Sequence, residues 1–134
     1  MTAPLHLCLV DDSADFRFLI QELVKQLWPA WPLSLFESGQ DLLQRLPSLS
    51  PPPDLILLDQ HMLDLDGQQT LEAIKQQPVL RSIPVVLMSA DASGSEIKRG
   101  YEAGARAFLI KPLEYGSLTN RLVEAVHYAK CISS

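Results

Sequence analysis

Three short runs, residues 5–10, 55–58 and 83–88, are apolar but for His6, with none of the period-two alternation of a half-solvated strand. Strands that read this way are parallel and covered on both faces, so helices must lie on each side of one sheet. Two further runs, 33–36 and 107–110, complete a set of five. Between them the pattern changes to helical spacing: Phe16, Leu19, Ile20, Leu23, Val24 and Leu27 line one helix face. Further helices are expected over about 40–46, 68–77 (with Leu71 and Ile74), 95–103, and a last one carrying Leu118, Leu122, Ala125, Val126 and Ala129. An all-helical reading fails because each apolar run is short and bounded by Pro, Asp or Gly.

Five strand-helix units with right-handed crossovers leave few topologies. The expected fold is α/β: a five-stranded parallel sheet, doubly wound, flavodoxin-like, in the order 2-1-3-4-5. Such a sheet places its ligand crevice at the carboxyl ends of strands one and three. The chain of 134 residues is read as a single domain with its core over about 5–130. The proline-rich stretch 46–53 reads as a stiff, extended surface spacer. Gly100 costs its helix about 1 kcal/mol against alanine, which predicts that the fourth helix is the most mobile.

A formal charge of −5 disfavours direct binding to nucleic acid or an anionic membrane. From Lys98 onward six Lys/Arg face three Asp/Glu, a local +3 that leaves −8 for the rest. Cys8 and Cys131 have no metal-ligand spacing and are too few for a disulfide framework, so a reducing, cytoplasmic setting is expected. No apolar stretch approaches the ~18 residues of a membrane span.

Asp11-Asp12 closes the first run and Asp59 the third, which brings three carboxylates to one edge of the sheet. Magnesium takes oxygen ligands and keeps several waters. Asp12 and Asp59 are the expected direct ligands, Asp11 acts through a water, and the backbone carbonyl of His61 is placed to contribute. Without a cation each close pair of carboxylates repels by roughly 1 kcal/mol in water and up to about 4 at an effective dielectric of 20. Ser89 ends the fourth run and Lys111, before Pro112, the fifth. An aspartate that attacks phosphorus needs its charge offset and the transferring oxygens clamped, so Lys111 supplies the cation and Ser89 a hydroxyl donor. Each residue alone has a plainer reading: a helix cap for Asp11-Asp12 or Ser89, a solvated strand end for Asp59, a surface lysine for Lys111. The joint pattern favours phosphoryl transfer to Asp59.

With these residues in view, the chain resembles a response-regulator receiver domain of two-component signalling, over nearly its whole length. The likeness rests on Asp11-Asp12, on Asp59 with Met62 and Asp66-Gly67, on 83–84 leading to Ser89-Ala90, on Gly104-Ala105, and on Phe108 to Lys111-Pro112. It implies a phosphoacceptor rather than a turnover enzyme: Asp59 takes a phosphoryl group from a sensor histidine kinase or histidine phosphotransfer protein, with Mg²⁺. It further implies a cis Lys111-Pro112 bond and a switch in which Phe108 fills the space Ser89 leaves. The output is then a downstream protein bound by the fourth helix, fifth strand and fifth helix, with a homodimer left open and no output domain expected in this chain.

Leu63 stands where the family commonly has proline. His61 and Asp91 stand where the family tunes autodephosphorylation, which implies an altered phosphoryl lifetime of unspecified direction. A dehalogenase-type phosphatase would need a second acid where His61 stands. A flavodoxin would need a hydroxyl-rich loop where Asp11-Asp12 would repel phosphate. A phosphorylation-independent docking module on the same fold, and a receiver excised from a longer regulator or hybrid kinase, remain as alternatives.

Overall fold

The structure, a computed structural model, describes residues 3–111 and 115–133. Five parallel strands, β1 (Leu7–Val10), β2 (Leu33–Phe36), β3 (Leu55–Asp59), β4 (Val85–Ser89) and β5 (Ala107–Ile110), form one sheet in the order 2-1-3-4-5. Five α-helices alternate with them: α1 (Ala14–Leu27), α2 (Gly39–Arg45), α3 (Gly67–Lys75), α4 (Gly94–Glu102) and α5 (Tyr115–Ser133). The doubly wound fold expected from the apolar runs is the one observed.

Successive strand side chains point to opposite faces, and the core divides accordingly. Ile56, Leu58, Cys8, Val10, Val85 and Leu87 pack with Leu42, Leu71 and Ile74 of α2 and α3. Leu55, Leu57, Leu7, Leu9, Val86 and Met88 pack on the other face with Ile20, Leu23 and Val24 of α1 and Leu118, Leu122 and Val126 of α5. Both faces are covered, which is why β1, β3 and β4 show no polar alternation. Burial pushes the Cys8 thiol far above its ordinary range, so it packs as a small apolar group. No helix among the described residues is long and apolar enough to cross a membrane.

Helix starts follow local capping chemistry. Ser13, Ser38, Asp66 and Ser93 each accept a backbone N–H from the first turn of α1, α2, α3 and α4. Asp66 and Ser93 form reciprocal capping boxes with Gln69 and Glu96.

One sequence expectation needs correction and another gains a packing role. The stretch 46–53 is an anchored connection rather than an extended spacer. Leu46–Ser48 is a 3-10 turn with Leu46 buried, and Leu49 packs against the core. The carbonyl of Pro51 lies 2.7 Å from Nδ1 of buried His6, and the Asp54 carboxylate accepts the His6 backbone N–H at 2.8 Å. Prolines bring carbonyls without N–H groups, and His6 supplies the missing donor. Gly100 also has a packing role that the reading of it as a soft point missed. A Cβ there would stand 2.8 Å from Leu87 Cδ1 and 3.3 Å from Phe108 Cδ2, so glycine lets α4 lie close on the sheet.

Candidate functional site

The register of the sheet assembles the site. Val10 pairs with Leu58, so Asp11 stands level with Asp59, the last residue of β3. Asp59 pairs with Met88 and Ser89 with Ile110, which brings Ser89 and Lys111 to the same edge. Parallel strands present all their carboxyl ends on one side, so four sequence-distant residues converge without any long loop.

Asp11 and Ser89 are fully buried and Asp59 is 4% exposed, while Asp12 is exposed. One carboxylate oxygen from each of Asp11, Asp12 and Asp59 can be chosen so that all lie within 4.8 Å of one another. Octahedral magnesium with bonds of about 2.1 Å spaces its ligand oxygens by about 3–4 Å, so this donor set fits a small divalent cation. Lys111 Nζ lies 2.7 Å from Asp11 Oδ2 and 3.4 Å from Asp59 Oδ1. The Asp11 contact is electrostatic rather than an aligned hydrogen bond, because buried Asp11 Oδ2 receives no donor at good angle. That oxygen keeps lone-pair capacity for a water or a cation.

Asp59 is pushed up to about 6 from the usual carboxylate value, first by burial and then by the charge of Asp11. Lys111 and the His61 backbone N–H, 3.4 Å from Oδ1, pull the other way without cancelling the rise. The repulsion expected of clustered carboxylates therefore acts on Asp59, which is buried beside the still more deeply buried Asp11, while exposed Asp12 sits at the wet margin of the site.

The remaining sequence candidates fall around this centre. The Ser89 hydroxyl donates to the Asp91 carbonyl. The His61 ring reaches toward the residues after β4 and the first turn of α4, with Nε2 3.4 Å from the Asp91 carbonyl oxygen and 3.5 Å from Glu96 Oε2. Phe108 is partly buried and packs beside Gly100 beneath α4. Pro112, and with it the expected cis Lys111-Pro112 bond, lies outside the described residues.

Three residues have supporting contacts that the sequence reading did not assign. Phe16 was recognised only as part of an apolar helix face, yet Lys111 Nζ sits 4.4 Å from its ring centroid, a cation–π contact that helps fix the ammonium. Arg17 donates to the Asp11 carbonyl at 2.7 Å and steadies the acidic corner. Gly67 shows why glycine follows Asp66: a Cβ there would stand 2.7 Å from the Asp59 carbonyl oxygen and 2.8 Å from Gln60 Cα. Only the Asp66-Gly67 pair left a visible signal, since the other two contacts depend on tertiary placement.

Comparison with known proteins agrees with this arrangement. The family described as "Response regulator receiver domain" matches residues 7–123. The two-component response regulator ORR3 of Oryza sativa is 35% identical over 121 residues, which cover 88% of this chain and 90% of that protein. A crystal structure of the Mn²⁺-bound form of response regulator Rcp1 aligns with TM-score 0.79 at 30% identity, covering 89% of each chain. The phosphorylated cyanobacterial phytochrome response regulator RcpA aligns with TM-score 0.83 at 26% identity, covering 93% of this chain and 92% of that one. By its family match, its relatives and its fold, the chain belongs to the response-regulator receiver domains of two-component signalling.

Proposed function

We propose that this chain is a phosphoacceptor domain whose acceptor is Asp59. An Asp59 carboxylate oxygen attacks the phosphorus of a phosphohistidine on a sensor histidine kinase or histidine phosphotransfer protein. The new O–P bond forms as the P–N bond breaks, and the imidazole leaves to recover a proton from solvent. The observation that carries this reading is the placement of Lys111 Nζ 3.4 Å from Asp59 Oδ1 beside three convergent carboxylates.

Asp12 and Asp59 would hold Mg²⁺ directly, Asp11 through a water, and the His61 backbone carbonyl would complete the protein's share. Magnesium, when bound, offsets negative charge on the transferring oxygens. Lys111 offsets charge from the other side and, already held by Asp11 and Phe16, needs little reorganisation. The capping of α3 by Asp66, with Gly67 against the Asp59 carbonyl, fixes the loop that follows the acceptor.

The signal leaves through a protein surface formed by α4, β5 and α5. For Ser89 to donate to the arriving phosphoryl group it must give up the Asp91 carbonyl, and Phe108 then moves into the vacated space. Tyr101, Ile110 and Tyr128 expose about half of their surface on these elements, apolar area that a downstream protein can cover. On this reading residues 1–134 act as one receiver unit, cytoplasmic, and the chain is an acceptor rather than a turnover enzyme.

Incubation with acetyl phosphate and Mg²⁺ followed by intact mass measurement tests the proposal. A single phosphoryl adduct that disappears with EDTA and in Asp59→Asn supports it. An adduct that persists in that variant overturns the assignment. Absence of an adduct with every small donor and kinase tested favours a docking module instead.

A further inference from the structure

Glu96 lies outside every motif the sequence offered, yet its carboxylate faces two ways. Oε1 accepts the Ser93 backbone N–H at 3.2 Å and closes the α4 capping box. Oε2 lies 3.5 Å from His61 Nε2, and the same nitrogen is 3.4 Å from the Asp91 carbonyl oxygen. Carboxylate and carbonyl oxygens only accept, so Nε2 carries the ring hydrogen and shares it between them. Both distances are long for hydrogen bonds, so the link is weak enough to open.

The imidazole thus spans from the loop after β3 to the start of α4, across the gap between the strand ends that carry Asp59 and Ser89. Its side chain is 55% exposed while that of Glu96 is 24% exposed, so the ring faces solvent and the carboxylate anchors it from α4. The Asp91 carbonyl takes the Ser89 hydroxyl as well. Were Ser89 to turn to a phosphoryl group, the carbonyl would keep the His61 hydrogen as its remaining donor in this set.

We propose that Glu96 is a positioning residue that straps the His61 ring across the mouth of the Asp59 site and so slows hydrolysis of the aspartyl phosphate. The proposal rests on Asp59 being the acceptor. In hydrolysis a water oxygen bonds to phosphorus, the bond to Asp59 breaks, the carboxylate is restored, and inorganic phosphate leaves with the water's protons. That water must approach from the solvent side of the strand ends, where the strapped ring narrows its path. The Nε2 hydrogen is committed to Glu96 and Asp91, so this edge of the ring offers the water no lone pair.

The experiment follows decay of the phosphorylated chain by intact mass after removal of the small donor. Glu96→Ala should shorten the half-life by about threefold or more, the scale of one weak hydrogen bond. Ser93→Ala removes the other half of the capping box without touching His61 and should leave the half-life as it is. The double variant His61→Ala with Glu96→Ala should decay as His61→Ala does alone. Nitrogen NMR of the metal-free wild type should find the His61 hydrogen on Nε2. A wild-type half-life in Glu96→Ala, or equal shortening in Ser93→Ala, overturns the strap, and so does a hydrogen found only on Nδ1. A wild-type chain that takes no phosphoryl group overturns the acceptor reading together with this one, whereas an adduct of unchanged lifetime overturns this one alone.

Discussion

Replacement of Asp59 by asparagine should stabilise the metal-free protein, and the gain should depend on pH. Asp59 is held up to about 6 against an ordinary value of 3.8, mainly by burial and by Asp11. Between those two values the folded chain binds more protons at this position than the unfolded chain, so stability falls as pH rises through the window. At pH 7.5 the penalty approaches its ceiling of about 3 kcal/mol, from 1.36 kcal/mol per unit. At pH 4.5 the same relation leaves about 1 kcal/mol. Asp59→Asn keeps an acceptor oxygen for the His61 N–H and for Lys111, and its amide hydrogens face carboxylates instead of a like charge. Part of the penalty is offset by desolvation of the amide, so the expected gain is about 1–3 kcal/mol at pH 7.5. Urea unfolding in EDTA at both pH values measures it. A variant less stable than wild type at pH 7.5, or a gain that is the same at both pH values, would refute burial and repulsion as the source of strain. Asp12→Asn is expected to gain less, because Asp12 is exposed and its field is screened by water.

Lys111→Met should destabilise the protein by about 2–4 kcal/mol at pH 7.5, since it leaves Asp11 and Asp59 buried without their counter-charge. The loss should shrink towards pH 5 as Asp59 takes up a proton, which denaturant titration at the two pH values checks. Gly67→Ala should cost about 1–3 kcal/mol and slow labelling by acetyl phosphate, because the new Cβ displaces the Asp59 carbonyl. Gly100→Ala sets a helix-propensity gain of about 1 kcal/mol against a close contact with fully buried Leu87. Packing should win, and a lowered melting temperature with altered amide exchange in α4 reports it.

The fold was legible because burial on both faces leaves an unambiguous trace. Leu55, Ile56, Leu57 and Leu58 alternate between two cores, so all four must be apolar, and a run of that kind bounded by Asp54 and Asp59 fits little but a central parallel strand. The candidate site was legible for a related reason: parallel register turns strand ends that are distant in sequence into spatial neighbours, so Asp11, Asp59, Ser89 and Lys111 could be placed together before any contact was known. What stayed hidden depends on how side chains turn after the strands end. Arg17 bonding to the Asp11 carbonyl, Lys111 resting over Phe16, and Glu96 reaching His61 join residues that no periodicity relates. The proline-rich stretch was misjudged because its composition speaks for stiffness alone, whereas its place was decided by Leu46 entering the core and by His6 turning its ring to Pro51. At Gly100 helix propensity assigns a cost to the glycine, but only the neighbouring strands reveal that a Cβ there would crowd Leu87 and Phe108. A helix held that close to β4 and β5 is placed to follow the movement of Ser89 and Phe108 that the proposed switch calls for, with Gly100 as the point where α4 meets the strands beneath it.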